Sequence, residues 1–140
     1  MWMTVYSLES KAKEASIWKV MTDVENWNKW VGGLEYSRLD SDFEDGVFGT
    51  LKSFKGPKSR FCIKDVIENK SFIIQSKFLF CTMDGIHEIA NENGQVKIKL
   101  GIRIRGPLTF ILKNLAKSDE KSLPIAAKKI SELAEMINFN

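Results

Sequence analysis

The sequence predicts an α+β fold: a curved antiparallel sheet of seven strands wrapped around one long C-terminal helix, with two short helices after the first strand. Three observations carry this reading. Residues 95–105 alternate cleanly between apolar and basic side chains. Strand-like segments separated by turn residues fill the chain from 34 to 105. Apolar residues of helical period then occupy 107–138.

Trp2 to Leu8 mixes aromatic, β-branched and polar residues and reads as a strand. Ala12, Ala15, Ile17, Trp18 and Met21 then recur at helical spacing, with Ser10 and Glu14 as entry residues. Thr22 and Asp23 are expected to close this helix and cap a second, short one over Val24–Trp30. Gly32-Gly33 ends that piece. Further strands are expected near 34–40, 47–54, 60–67, 72–80, 84–91 and 95–105. Glu44-Asp45-Gly46, Gly56-Pro57, Glu68-Asn69-Lys70 and Asn91-Glu92-Asn93-Gly94 supply turn chemistry between several of them. In the last strand Val96, Ile98, Leu100, Ile102 and Ile104 share one face. Lys97, Lys99, Arg103 and Arg105 share the other and are expected outside. Gly106-Pro107 opens the helix, since proline suits the first helical position. Pro124 lacks an N–H, so a kink or break is expected near 120–124. Short connections between successive strands imply a meander, and the long helix must cover its apolar face.

A chain of 140 residues is expected to form one domain spanning 1–140. Apolar residues at 44% and charged residues at 28% exclude a disordered or collagen-like chain. Twenty-one basic against 18 acidic side chains give a net charge of only +3, which does not point to nucleic acid. No apolar run of about 18 residues exists, so no membrane-spanning helix and no stable membrane insertion is expected. Met1-Trp2-Met3-Thr4 has no basic n-region and polar residues appear by Ser7, so no signal peptide is read. Cys62 and Cys81 are therefore expected as reduced thiols in a cytoplasmic protein, without a disulfide. One histidine and two separated cysteines do not make a zinc site of the usual kinds. Asp40 to Gly46 fails as a calcium loop, because its glycine comes one position late and its twelfth residue is Leu51. No nucleophile elbow, P-loop, H-E-x-x-H or dinucleotide fingerprint is present, and no metal or cofactor is implied.

The element order, β-α-α then six strands then a long helix, resembles the helix-grip fold of the START-like, Bet v 1-like (SRPBCC) superfamily. The run Ala15 to Trp30, with Trp18 in a helix leading to Asp23 and then Trp27-x-x-Trp30, is similar to that superfamily's first-helix pattern. Phe43-Glu44-Asp45-Gly46-Val47-Phe48-Gly49 resembles its F-x-x-G-x-x-G hairpin. Ile104-Arg105-Gly106-Pro107-Leu108 resembles its last strand-to-helix junction. Leu123-Pro124 and Leu133-Ala134-Glu135 resemble its C-terminal helix. The resemblance covers essentially the whole chain and is closest to the polyketide cyclase/dehydrase-like branch. It implies a hydrophobic ligand cavity between sheet and helix, and no single chemistry.

Within that frame the expected ligand is a small hydrophobic molecule, lipid or polyketide-like. Trp27, Trp30, Phe78, Phe80 and Met83 are the candidate apolar wall, since apolar side chains dominate small-molecule pockets. His87 is the candidate polar contact, or the acid/base of an alternative cyclase or dehydratase, with Asp84 and Glu88 as weaker choices. Its role depends on register: if Met83, Gly85, His87 and Ile89 face inward, His87 enters the pocket, and a slip of one residue puts it outside. The rival reading of the same residues is a filled core, with Trp27 and Trp30 clamping the short helix to the sheet. A third alternative is a protein-interaction module. Lys113, Lys117 and Lys121 are expected on the wet side of the last helix, where they could also touch anionic lipid heads. Oligomeric state is left open.

Overall fold

A computed structural model of the chain describes residues 1–137. Seven strands run β1 (Trp2–Ser10), β2 (Leu34–Leu39), β3 (Phe48–Ser53), β4 (Lys58–Ile67), β5 (Ser71–Phe78), β6 (Cys81–Glu92) and β7 (Gln95–Arg105). Helix α1 (Glu14–Thr22) and a 3₁₀ helix (Val24–Lys29) follow β1, and α2 (Thr109–Glu135) ends the fold. The strands form one antiparallel sheet in the order β1-β7-β6-β5-β4-β3-β2. The first strand thus closes against the last, and every other neighbour is its sequence neighbour. Position 138, the last of the expected helix, lies outside the described residues.

The alternation in β7 sets the two faces. Ile98, Leu100 and Ile104 are buried beneath α2, and Arg105 is exposed on the other side. One core cluster gathers Ile17, Met21, Trp27, Phe61, Phe72, Ile98 and Ile130 near the C-terminal half of α2. A second gathers Cys81, Ile104, Leu112 and Ala116 near its start. Cys62 and Cys81 are buried and free.

Three local features depart from the sequence-based expectations, and a fourth, at Asp65, is invisible to periodicity. The parity that would carry Asp65 inward after Phe61 and Ile63 is broken by a bulge between Lys64 and Ile67. Asp65 takes a positive φ of 53°, and Val66 packs on the core in its place. Strand β6 begins at Cys81 rather than near 84, because Leu79 and Phe80 form a two-residue hairpin loop between the paired Phe78 and Cys81. Asp23 does not cap the 3₁₀ helix through its side chain; its carboxylate instead accepts the Asn26 amide at 2.7 Å. Finally, α2 continues through Pro124 without a break. Pro124 is exposed, so the Glu120 carbonyl that loses its N–H partner lies on the wet side, where water can replace it.

Two glycines permit close approaches. A Cβ at Gly49 would collide with the Phe61 ring and lie 2.6 Å from the Arg38 carbonyl oxygen. At Gly106, where φ is +133°, a Cβ would sit 2.9 Å from Cys81 Cα, so the turn into α2 can close against β6 only without a side chain.

Because Pro124 interrupts the ladder of a helix that otherwise runs unbroken, Pro124→Ala is expected to stabilise the chain by about 1–2 kcal/mol. Urea unfolding checks this; an unchanged or lower midpoint would show that the proline's effect on the unfolded chain outweighs its cost in the helix.

Candidate functional site

The two core clusters do not meet. Between Ala116 and Ala126 the stretch of α2 over the sheet carries Asp119, Ser122 and Leu123. Opposite them the inner face of the sheet offers Ser53 on β3, Ser76 on β5 and Gly85 on β6. Small and polar side chains on both sides leave the space unfilled. The result is a cavity of about 310 Å³, at the small end of the range for small-molecule sites.

Trp27, Trp30, Leu34, Ile74, Met83 and Leu100 supply apolar wall. Trp27 is also a core clamp: its Nε1–H donates to the Met21 carbonyl at 2.8 Å, and its ring lies 5.3 Å from that of Phe61. The two rival readings of the tryptophan pair therefore meet in one residue. Trp30 is buried edge-on to Trp27 at 6.2 Å, and its Nε1–H has no hydrogen-bond partner among the described residues.

The register of β6 turns Met83, Gly85 and His87 toward α2, against Ser76, Ile74 and Phe72 of β5 and Ile104, Ile102 and Leu100 of β7. His87 borders the cavity and is only 8% exposed. Its ring stacks on Phe72, with centroids 4.6 Å apart and planes 2° from parallel, and meets Trp30 at 5.9 Å. Nδ1 lies 3.1 Å from the Gly85 carbonyl oxygen. A carbonyl can only accept, so Nδ1 carries the proton and the neutral ring keeps a lone pair on Nε2. Burial pushes the His87 pKa down to about 4, against a smaller opposing effect of the Gly85 bond. At neutral pH the cavity therefore holds an uncharged acceptor. Among the described residues, no lysine or arginine borders the cavity. Asp119 does, and burial raises its pKa above the usual carboxylate value.

Two candidate wall residues lie elsewhere. Phe78 and Phe80 do not border the cavity; Phe78 is half exposed, and Phe80 is 91% exposed. The reason is the early hairpin turn: β5 ends at Phe78, and Phe80 sits at the tip of the loop. The two weaker acid/base candidates turn their side chains away, although Asp84 is among the residues bordering the cavity. Asp84 is fully buried, but on the outer face of the sheet. Its Oδ1 accepts from Gln75 Nε2 at 3.0 Å, and its Oδ2 accepts from Arg103 Nε at 2.9 Å and Arg105 at 3.0 Å. Glu88, of the same parity, is exposed. Arg103 and Arg105 do lie outside as expected, and their grip on Asp84 is what the sequence reading missed. The signal for it was present: Asp84 and Arg103 become register partners once β6 and β7 pair as a hairpin across Asn93-Gly94.

No family model matches the chain, and no curated protein is similar to it in sequence. Solved structures do match its fold. Norcoclaurine synthase from Thalictrum flavum superposes with a TM-score of 0.75 at 15% identity, covering 96% of this chain and 94% of that one. The di-domain ARO/CYC StfQ from the steffimycin biosynthetic pathway gives 0.76 at 7% identity, over 95% of this chain and 50% of that protein. Ara h 8.0201 gives 0.69 at 13% identity, over 97% and 99%. The chain shares the helix-grip fold of these structures. Among the described residues, no helix is long and apolar enough to cross a membrane.

The buried histidine has a consequence for stability. Its folded pKa, about 4, lies below the ordinary 6.5. Below pH 6.5 the unfolded chain takes up a proton that the folded chain refuses. The contribution is intact above pH 6.5 and is lost as pH falls toward 4. Between pH 7 and 4.5 the wild type is expected to lose about 2–3 kcal/mol more stability than His87→Gln. Urea titrations of both chains at the two pH values test this; equal losses would mean that His87 titrates normally.

Proposed function

We propose that this chain binds or carries a small, uncharged, largely apolar molecule in the cavity between α2 and the sheet. The observation that carries the reading is an unfilled apolar space bordered by one neutral histidine. Burial of apolar ligand surface drives association, at about 25 cal/mol per Å² before the costs of ordering. A ligand hydroxyl donating to His87 Nε2 fixes orientation. Anionic ligands are disfavoured, because the cavity offers Asp119 and no cation to meet them. The fold neighbours lend support: norcoclaurine synthase has been seen in complex with dopamine and hydroxybenzaldehyde, both small aromatic molecules.

The cyclase or dehydratase alternative would use His87 as acid/base. A group held near 4 is a weak base at neutral pH, far from the matched pKa that general catalysis favours. Binding without turnover is therefore the preferred reading.

Native mass spectrometry of the purified chain and thermal shifts with 4-butylphenol test the proposal. The wild type is expected to carry a bound small molecule or to melt higher with the phenol. Gly85→Leu supplies the control. A Cβ there meets only ordinary contacts at 3.5–3.7 Å, so the added side chain projects into the empty space. That variant is expected to melt higher than wild type, by about 0.5–2 kcal/mol of stability, and to lose the phenol shift. An empty wild type with no shift across a panel of apolar compounds would refute the reading.

A further inference from the structure

Six exposed apolar residues lie together at one end of the fold. Phe78, Leu79 and Phe80 end the β5–β6 hairpin, and Phe110, Ile111 and Leu115 lie on the first turns of α2; all six are exposed. These two segments adjoin. A Cβ at Gly106 would lie 2.9 Å from the Phe80 carbonyl oxygen, and Cys81 packs in one cluster with Leu112 and Ala116. Positions 111, 115, 119, 122 and 126 follow one another at helical spacing, and the last three border the cavity. Phe78 likewise shares the inner sheet face with the cavity residue Ser76. Ile111, Leu115 and Phe78 thus extend the cavity's own walls to the surface.

Two further facts bear on what meets this rim. Leu79 and Phe80 both hold positive φ, 50° and 61°, in a two-residue hairpin loop. Such loops favour Asn-Gly, and two bulky apolar residues are strained there. Strain kept at an exposed tip points to a role outside the fold. The surrounding charge is basic. Lys77 precedes the tip, and from residue 105 to 118 the chain carries Arg105, Lys113 and Lys117 and no acid. Asp84 engages Arg105, which leaves Lys77 next to the tip and Lys113 and Lys117 on the Phe110 flank of α2, with Asp119 and Glu120 a turn beyond.

We propose that this rim docks on an anionic lipid membrane, with Phe80 and Leu79 entering the interface and Lys77, Lys113 and Lys117 meeting the headgroups. Apolar insertion combined with basic side chains is the pairing that holds peripheral proteins at such surfaces. Docking places the cavity's extended walls against the source of an apolar ligand. In that sense the proposal rests on the binding reading above, and vesicle binding and the phenol shift separate the two.

Co-sedimentation with vesicles tests it. The wild type is expected to bind vesicles of roughly 3:1 phosphatidylcholine to phosphatidylserine on the order of tenfold or more tighter than phosphatidylcholine alone, and to be released by salt. The double variant Leu79→Asn, Phe80→Gly is expected to melt higher than wild type, because it relaxes the turn. It should also lose vesicle binding about tenfold or more. Lys113→Gln with Lys117→Gln should reduce binding to the anionic vesicles alone. The hairpin variant should keep its thermal shift with 4-butylphenol, so loss of docking is distinguishable from loss of the ligand site. Absence of wild-type sedimentation with the anionic vesicles overturns the proposal. Binding unchanged in the hairpin variant does so as well, as does capture of this face by a protein partner while vesicles stay unbound.

Discussion

The structure depends on a helix that cannot fill the concavity it covers. Leu112 and Ala116 anchor α2 at one end, and Ala126, Ala127 and Ile130 anchor it at the other. The turn between them presents Asp119 and Ser122 to Gly85, Ser76 and Ser53. Protein interiors normally pack to crystal-like density, so a space of this size needs walls that do not collapse. Here the walls are antiparallel strands, and a helix pinned on both sides of the gap. Local flexibility would close such a void; the unshifted pairing of β5 with β6 and of β6 with β7 beneath it resists that.

The outer face of the sheet completes this support. At Gly85 no side chain braces β6 from within. One residue away, Gln75 on β5, Asp84 on β6 and Arg103 on β7 stand in one cross-strand row, joined through both oxygens of Asp84. Cross-strand pairs are the natural unit of sheet stabilisation. A buried ion pair adds little net stability, because desolvation offsets most of the attraction. Its geometry is nonetheless demanding, since each Asp84 oxygen must find its own donor. The row therefore fixes the spacing of β5, β6 and β7 directly behind the emptiest part of the cavity.

Much of this fold was legible in the residues. The strict alternation of β7 and the helical stripe of α2 each follow from one local rule and occur where expected, whereas Pro107 stands just ahead of α2, which begins at Thr109, rather than at its first position. The misses have physical causes. Leu79-Phe80 carries no turn chemistry, so the hairpin is imposed by the pairing of its flanking strands and not by its own preference. At Asp65 a bulge changes the inward parity, which no periodicity count can register. Pro124 is tolerated because it falls on the exposed side of a helix already held by packing at both ends. Phe78 and Phe80 followed from these errors: moving the turn by a few residues moved two aromatics from an expected wall to the surface.

The contrast between Asp84 and His87 locates the limit of sequence reading more sharply. The two lie three residues apart on one strand and are almost equally hidden. Odd spacing sends them to opposite faces. Asp84 meets two guanidinium groups and an amide, which between them satisfy both of its oxygens away from water. His87 meets aromatic rings and a single carbonyl, and avoids the cost of a buried charge by remaining neutral. Composition and spacing mark both as ionisable groups in a strand. Only the neighbours supplied by β5 and β7 decide that one braces the wall while the other is left with an open acceptor beside the cavity.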